Sequence, residues 1–358
     1  MQEPVFDAKK FFCDVFDPQA DEKVLFLVDT PTDEFLDNQN WKERRTMASE
    51  WWQAMSLLAH ERHFNLLPIF LYPATGANSA PLPDFVVEKV KGGITLVLAM
   101  TTWSATAPLG RLTQEIPTLR VASMPGILKR MEQSALAADY AEIQRRCKIL
   151  APLMQAADFC DVDFSTDHHC RFDLRFREID IDDGYLHQDK QGMRLINLPS
   201  GEVCPAPYEG ERENEPSKTE GELPIRDEES YEVITFVVRK NRIVEVKGKS
   251  EIAELLSEFF DRDPARRNIA ECAFGLNPCA IVTGNVLEDE KAGFHWAIGL
   301  SSHLGGVWGP EKFLSKETQI HQDFVYAKGS PIQVEKATLV NSDGSTVEVI
   351  RNGKYVIF

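Results

Sequence analysis

Four segments in the second half of the chain place metal-ligand side chains among turn residues and apolar neighbours. They are residues 197–207 (NLPSGEVCPAP), 268–277 (NIAECAFGLN), 284–299 (GNVLEDEKAGFHWAIG) and 319–326 (QIHQDFVY). Their ligand-type residues are Glu202, Glu271, His295, His321 and Asp323. Imidazole combined with several carboxylates suits Zn, Mn, Co or Fe. The set therefore predicts a divalent-metal active site.

The local patterns explain why these residues are candidates. Glu202 directly follows Pro-Ser-Gly at a predicted tight turn, and Glu271 lies in an otherwise apolar run, where an ionised side chain is costly unless it is paired or metal-bound. His321 and Asp323 are two residues apart, so on a strand they point to the same face, about 6–7 Å apart.

Each candidate also has a plain structural explanation. His321 and Asp323 could be a hydrogen-bonded surface pair, Glu271 could be salt-bridged, and Glu202 could bind the amides of its own turn. Only the set as a whole favours a metal site. By contrast, His168 and His169 are adjacent, so on a strand they point to opposite faces and are interpreted as structural.

The first part of the chain alternates short apolar runs with helical patterns. Predicted strands are residues 24–28, 66–72, 94–99 and 119–122, and apolar residues recur at helical spacing over 41–63. Strands separated by helices of this length predict an α/β fold with a mainly parallel sheet. No glycine-rich phosphate loop follows any of these strands.

The second part predicts a strand-rich α+β domain that carries the metal site. Alternating apolar and charged residues over 164–183 predict a hairpin, and one helix is expected over 251–260. We place the domain boundary near residue 160, which gives an N-terminal α/β domain (1–160) and a catalytic domain (161–358). Residues 209–229, with nine acids against three bases, are predicted to form a solvated acidic loop.

Bulk properties exclude several classes of protein. The net charge of −17 argues against a nucleic-acid or anionic-membrane surface, and no apolar run is long enough to span a bilayer. The seven cysteines have wide spacings without a C-x-x-C pair, so neither a disulfide framework nor a thiolate zinc site is expected. Because residues 1–10 also lack the apolar core of a secretion signal, a cytoplasmic location is predicted.

The four segments together resemble the aminopeptidase T/aminopeptidase S family of thermophilic, cytoplasmic metallo-aminopeptidases. The resemblance rests, in order, on N-L-P-S-G-E-V-x-P-A-P, A-E-C-A-F-G-L-N-P, T-G-N-V-L-E-D-E-K-A-G-F-H-W-A-I-G and I-H-Q-D. It covers the catalytic half, and the N-terminal half is similar only in architecture.

The resemblance implies two divalent ions (Zn, Co, Mn or Mg) held by the five ligand-type residues, with Glu290 as a further ligand or supporting carboxylate. The ions would share a hydroxide that attacks the peptide carbonyl, and Glu271 or a neighbouring carboxylate would carry the proton to the leaving amine. It also implies a small-peptide substrate and a homodimer.

Two departures from the family pattern leave an alternative open. The family has a catalytic tyrosine in the stretch that matches residues 298–306, but this chain has none there, so His303 is the candidate donor to the oxyanion. The chain is also shorter than typical members and carries the acidic 209–229 segment. The alternative is a mononuclear Fe(II) ring-cleaving dioxygenase of the dihydroxypyridine type. Such enzymes have a similar fold, but they carry a histidine at the position that corresponds to Glu271.

Overall fold

The computed structural model describes residues 5–358. The prediction about a secretion signal concerned residues 1–10, of which residues 1–4 lie outside the described part. Its helices are α1 (Ala8–Val15), α2 (Gln39–Arg62), α3 (Asp84–Lys91), α4 (Thr106–Glu115), α5 (Tyr140–Ala156), α6 (Glu251–Arg262) and α7 (Val286–Asp289). None of the described helices has both the length and the apolar character that a membrane span needs.

The strands fall into three sheets. In chain order they are β1 (Lys23–Thr30), β2 (Asn65–Leu66), β3 (Phe70–Pro73), β4 (Leu96–Thr101), β5 (Arg120–Pro125), β6 (Ala157–Phe164), β7 (His169–Asp173), β8 (Asp180–Asp182), β9 (Leu195–Asn197), β10 (Glu202–Cys204), β11 (Glu220–Arg226), β12 (Val233–Arg239), β13 (Arg242–Lys247), β14 (Ile269–Gly275), β15 (Gly293–Gly299), β16 (His321–Ala327), β17 (Val334–Asn341), β18 (Thr346–Arg351) and β19 (Lys354–Tyr355).

The chain forms two compact units whose segments alternate in sequence. The first comprises the residues up to Gln144 together with Asp182–Gly201 and Asn277–Lys291, and the second comprises Arg145–Ile181, Glu202–Leu276 and Ala292–Phe358. This division differs from the single boundary predicted near residue 160, because two later segments return to the first unit. One of them supplies β9, whose three residues pair with β5.

The first unit confirms the predicted parallel sheet. Its strands run in the order β2-β1-β4-β5-β9, with β3 also beside β1, and every pair is parallel. The run predicted as one strand over 66–72 forms two, β2 and β3, with Pro68 between them. Proline has no N–H to donate to a sheet ladder, which accounts for the break.

The second unit contains two antiparallel sheets. The smaller has the order β16-β15-β14-β10-β8 and the larger β13-β12-β11-β7-β6-β17-β18-β19. Aromatic rings pack between them: Phe164 lies 4.9 Å from Tyr326, and Phe236 lies 5.8 Å from Trp296, measured between ring centroids. This apolar layer gives the smaller sheet one face that is anchored in the core.

The segment predicted as an acidic loop is partly a strand. Residues 220–226 form β11, which pairs with β12 and β7, and its Leu223 is fully buried. Charged and apolar residues alternate there, so the charges point away from the core while the apolar residues enter it.

Candidate metal centre

The five ligand-type residues all belong to the smaller antiparallel sheet of the second unit. Glu202 opens β10, Glu271 lies in β14, and His295 lies in β15. His321 and Asp323 lie in β16, the strand at the edge. Since β16, β15, β14 and β10 are consecutive neighbours, strands that are far apart in the sequence bring the five residues to one region of the sheet.

The strand register places all five side chains on one face. Residues directly opposite each other in an antiparallel pair share a face. Ala297 of β15 is opposite both Glu271 and Asp323. His295 is two residues before Ala297 on the same strand, so it is on the same face. The same rule places His321 there through Gly299, and Glu202 through Gly275.

The positions between the ligand-type residues on this face are small. They are Ala273, Gly275, Ala297 and Gly299. The opposite face of the same strands carries large residues, including Phe274, Phe294, Trp296 and Phe324. The sheet is therefore two-sided, with an aromatic face toward the core and a face on which small residues leave room for the longer polar side chains.

A β-bulge at the start of β14 sets the orientation of Glu271. Ile269 is opposite Ile298, whereas Glu271 is opposite Ala297, so two residues of β14 advance against one of β15. Without the extra residue, Ile269 and Glu271 would point to the same face. The bulge allows Ile269 to be buried on the core side while Glu271 points to the ligand face.

The side chains converge into two groups that share Glu271. One group is Glu202, Glu271 and His295, and the other is Glu271, His321 and Asp323; within each, ligand atoms lie within 4.8 Å of one another. His295 Nε2 lies 2.9 Å from Glu202 Oε1 and 3.5 Å from Glu271 Oε1. His321 Nε2 lies 3.0 Å from the other Glu271 oxygen, Oε2.

Backbone carbonyls orient both imidazoles. Nδ1 of His295 is 3.2 Å from the carbonyl of Gly293, and Nδ1 of His321 is 2.6 Å from the carbonyl of Leu300. A carbonyl can only accept, so Nδ1 carries a proton and donates, and Nε2 is the ring atom that faces the carboxylate cluster. This is the arrangement that protein metal sites use to orient histidine ligands.

The electrostatics of the cluster match a cation site. Burial opposes charge on His295 and His321, but hydrogen bonds and the charges of the surrounding carboxylates outweigh it and raise the pKa of both rings well above the usual value. Burial also opposes ionisation of Glu271, yet its hydrogen bonds to these two rings lower its pKa to about 2. The ring protons thus occupy the place that a cation would take between the carboxylates.

One carboxylate oxygen has no hydrogen bond. Oδ1 of Asp323 is buried, and no described residue satisfies it; its nearest basic atom, His321 Nε2, is 3.5 Å away. Buried carboxylate oxygens are normally paired. Three carboxylates, two oriented imidazoles and an unsatisfied oxygen together fit divalent ions bound by oxygen and nitrogen ligands.

His303 lies beside this cluster. It sits in a short 3-10 turn, Ser302–Leu304, and its ring centroid is 4.6 Å from that of His321 at an interplanar angle of 79°. The side chain reaches solvent, yet the protein around it removes part of the water that would stabilise a charged ring. That effect, followed by repulsion from His321, lowers the pKa of His303 to about 4.

Glu290 belongs to a different compact unit from the five ligand-type residues. It follows α7 in the first compact unit, and its Oε1 is 2.8 Å from Nζ of the buried Lys291. Neither of the two described ligand groups includes it. Its role as a further ligand or supporting carboxylate stays a prediction from the resemblance.

Glu209 was not identified from the sequence, where it falls in the predicted acidic loop. Its carboxylate is 1% exposed and accepts hydrogen bonds from Asn268 Nδ2 at 2.7 Å and from Ser301 Oγ at 2.6 Å. It also accepts from the backbone N–H of Val307. Glu209 therefore connects the start of β14 to both ends of the turn that carries His303. The only local signal was its position two residues after Pro207, which ends the proline-restricted segment that follows Glu202.

The adjacent histidines have structural roles, in line with their interpretation from the sequence. His168 lies between two hydroxyls, Thr166 Oγ1 at 2.9 Å and Thr235 Oγ1 at 3.0 Å. His169 lies on the exposed side, 2.8 Å from Asp163. All seven cysteines are free thiols.

Comparison with known proteins adds a family to this geometry. The profile of the family described as thermophilic metalloprotease (M29) matches residues 109–355. This range includes every strand that carries a ligand-type residue. Comparison with curated protein sequences gave no match.

Two solved structures are similar in fold. A 2,5-dihydroxypyridine dioxygenase from Pseudomonas putida KT2440 aligns with a TM-score of 0.66 and 17% sequence identity, over 98% of this chain and 96% of that chain. Wild-type AmpT from Thermus thermophilus aligns with a TM-score of 0.58 and 14% identity, over 98% of both chains. At these identities the two likenesses establish the fold alone.

Proposed function

The chain belongs to the thermophilic metalloprotease (M29) family, and from that premise we propose that it is an aminopeptidase that releases N-terminal residues from small peptides. Membership makes it a metal-dependent peptidase. The observation that carries the finer proposal is the pair of ligand groups that share Glu271. A carboxylate with one oxygen toward each group is placed to bind two neighbouring ions at once.

The residues have distinct parts in this proposal. Glu202 and His295 would hold one ion, His321 and Asp323 the other, and Glu271 both. Such ions supply Lewis acidity for a peptide carbonyl and a lower pKa for water. Glu271, or a neighbouring carboxylate, would move a proton between water and the leaving amine. His303, beside His321, would donate a hydrogen bond to the carbonyl oxygen.

Two observations favour a second candidate, the mononuclear Fe(II) dioxygenase. The dioxygenase structure aligns with a TM-score of 0.66, and residues 298–306 contain no tyrosine. Against it, the chain has carboxylates at both Glu202 and Glu271, whereas a facial iron triad needs two histidines and one carboxylate. The donor set therefore favours two hard divalent ions.

Metal analysis combined with two activity assays separates the candidates. Purified protein, reloaded in turn with Zn, Co, Mn and Fe(II), is assayed for hydrolysis of unblocked and N-acetylated tetrapeptides and for oxygen uptake with 2,5-dihydroxypyridine. The aminopeptidase proposal expects about two ions per chain, hydrolysis of the unblocked peptide alone, and no oxygen uptake. One iron per chain with substrate-dependent oxygen uptake would sink it.

We further propose, from the family resemblance, that the protein is a homodimer in the cytoplasm. Light scattering on the purified protein tests the first part, since a monomeric mass at micromolar concentration would contradict it. Fractionation of the source cells tests the second.

A further inference from the structure

The edge of the metal-bearing sheet has hydrogen-bonding groups that no described residue uses. β16 is the last strand of this sheet, with β15 on one side and no described strand on the other. Leu300 N donates to Ile320 O at 2.8 Å, which fixes the alternation of the ladder. Gln322, Phe324 and Tyr326 consequently bond to β15, while the residues between them direct their backbone groups outward.

The outward groups end at a definite point. The N–H of Ala327 donates to Ser330 Oγ at 3.1 Å, and its carbonyl accepts from Gln333 Nε2 at 2.9 Å, so a turn covers the outer side of Ala327. In the described structure, the outward N–H and C=O of Asp323 and Val325 have no such partner. Both residues are half-buried.

This edge lacks two of the features that commonly protect an exposed strand. Its sequence, HQDFVYA, contains neither proline nor lysine, which natural edge strands use to discourage pairing. An extended peptide can add to such an edge, with main-chain hydrogen bonds providing affinity. A strand added there would lie about 5 Å from β16, the strand that carries His321 and Asp323.

We propose that β16 binds the peptide substrate as an added β-strand through the backbone of Asp323 and Val325. This inference rests on the proposed peptidase function and names how its substrate is held. The occupant is the part of the peptide beyond the scissile bond, because the side chains of His321 and Asp323 rise from the same strand toward the reacting amide. The enzyme should therefore prefer substrates with free downstream amide N–H groups over aminoacyl anilides.

Val325→Pro tests the edge directly. Proline removes one outward N–H, while the bonds from Phe324 and Tyr326 to β15 remain, and proline is tolerated at sheet edges. The kcat/KM for a tetrapeptide should fall about three- to ten-fold, the size of one backbone hydrogen bond. Hydrolysis of an aminoacyl anilide, which has no downstream amide, should not change. Val325→Ala retains the N–H and serves as the matched control, with metal content and melting temperature measured for all three proteins.

Substrate variants give an independent test if the proline variant does not fold. Tetrapeptides N-methylated at each downstream amide in turn should include at least one with a similar loss on the wild-type enzyme. The proposal is overturned if no methylated peptide is impaired, or if Val325→Pro impairs peptide and anilide equally. Calorimetry with a reduced-amide tetrapeptide analogue separates the two proposals. If Val325→Pro binds the analogue as tightly as the wild type does, the proposal that β16 binds the peptide is overturned. If Val325→Pro binds the analogue more weakly but the wild type hydrolyses no peptide, only the peptidase assignment is overturned.

Discussion

Glu271 and Asp323 occupy one row of the five-stranded sheet, each directly opposite Ala297 on the strand between them. Next-nearest strands are about 10 Å apart, yet ligand oxygens of the two carboxylates approach within 4.8 Å of each other. Both side chains therefore lean over the methyl group of Ala297. We therefore expect the size of this one residue to decide whether the second ligand group can form.

Enlarging Ala297 should weaken metal binding without changing any ligand. In Ala297→Val, the two added methyl groups would enter the space over which the carboxylates meet. We expect an affinity loss of about 10–100-fold, as for other residues that support metal ligands, measured by competition with a fluorescent chelator. Ala297→Ser, close to alanine in size, is the control and should bind nearly as the wild type does; equal binding by the valine variant would contradict the row geometry.

Removing the shared ligand should disturb both ions, whereas removing an unshared one should disturb a single ion. Glu271 belongs to both groups, but Glu202 and Asp323 each belong to one. Glu271→Gln should therefore abolish metal-dependent activity and lower the metal content more than Glu202→Gln or Asp323→Asn, as measured by plasma emission spectrometry. His168→Ala, outside both groups, should retain activity. The assignment fails if His168→Ala is inactive while Glu271→Gln remains active.

His303 should affect turnover and leave metal content unchanged. Its ring lies beside His321 but is outside both ligand groups. If it donates to the carbonyl oxygen, His303→Ala should lower kcat about 10²–10³-fold, as for other oxyanion donors, in steady-state assays on a tetrapeptide. His303→Phe keeps the ring but removes the donor, so it should be equally impaired. A fully active phenylalanine variant would exclude this role.

Glu209 should act on the same step by holding the turn that bears His303. Glu209→Ala removes one of the two acceptors of Asn268 Nδ2, which also donates to the carbonyl of Gly299, and removes the acceptor of Ser301 Oγ. Each unsatisfied group lowers the free energy of unfolding by about 1–3 kcal/mol, which urea denaturation measures. Because the turn loosens while the ligands remain, kcat should fall with little change in metal content. Glu213→Ala, an exposed acid of the same segment, is the control and should alter neither quantity.

Much of the architecture follows from local patterns. The apolar spacing in residues 41–63 predicted α2 because its buried residues, among them Met47, Trp51 and Met55, repeat with the helical period. The central strands β1, β4 and β5 were predictable because they are buried on both faces and therefore appear as short apolar runs. The strand β9 was not predicted. His321 and Asp323 could be paired from the sequence because a strand places residues two apart on one face.

The sequence by itself thus determined which side-chain types are available and how neighbouring residues are oriented. Tertiary structure alone decided how distant strands are aligned. The row through Ala297 depends on the register of three strands and on a bulge, and the burial of Glu209 depends on partners about 60 and 90 residues away. Such alignment arises from packing between segments that are remote in sequence, so no local pattern encodes it. For the same reason, the outward backbone groups of Asp323 and Val325 became visible only once β16 was located at the edge of its sheet.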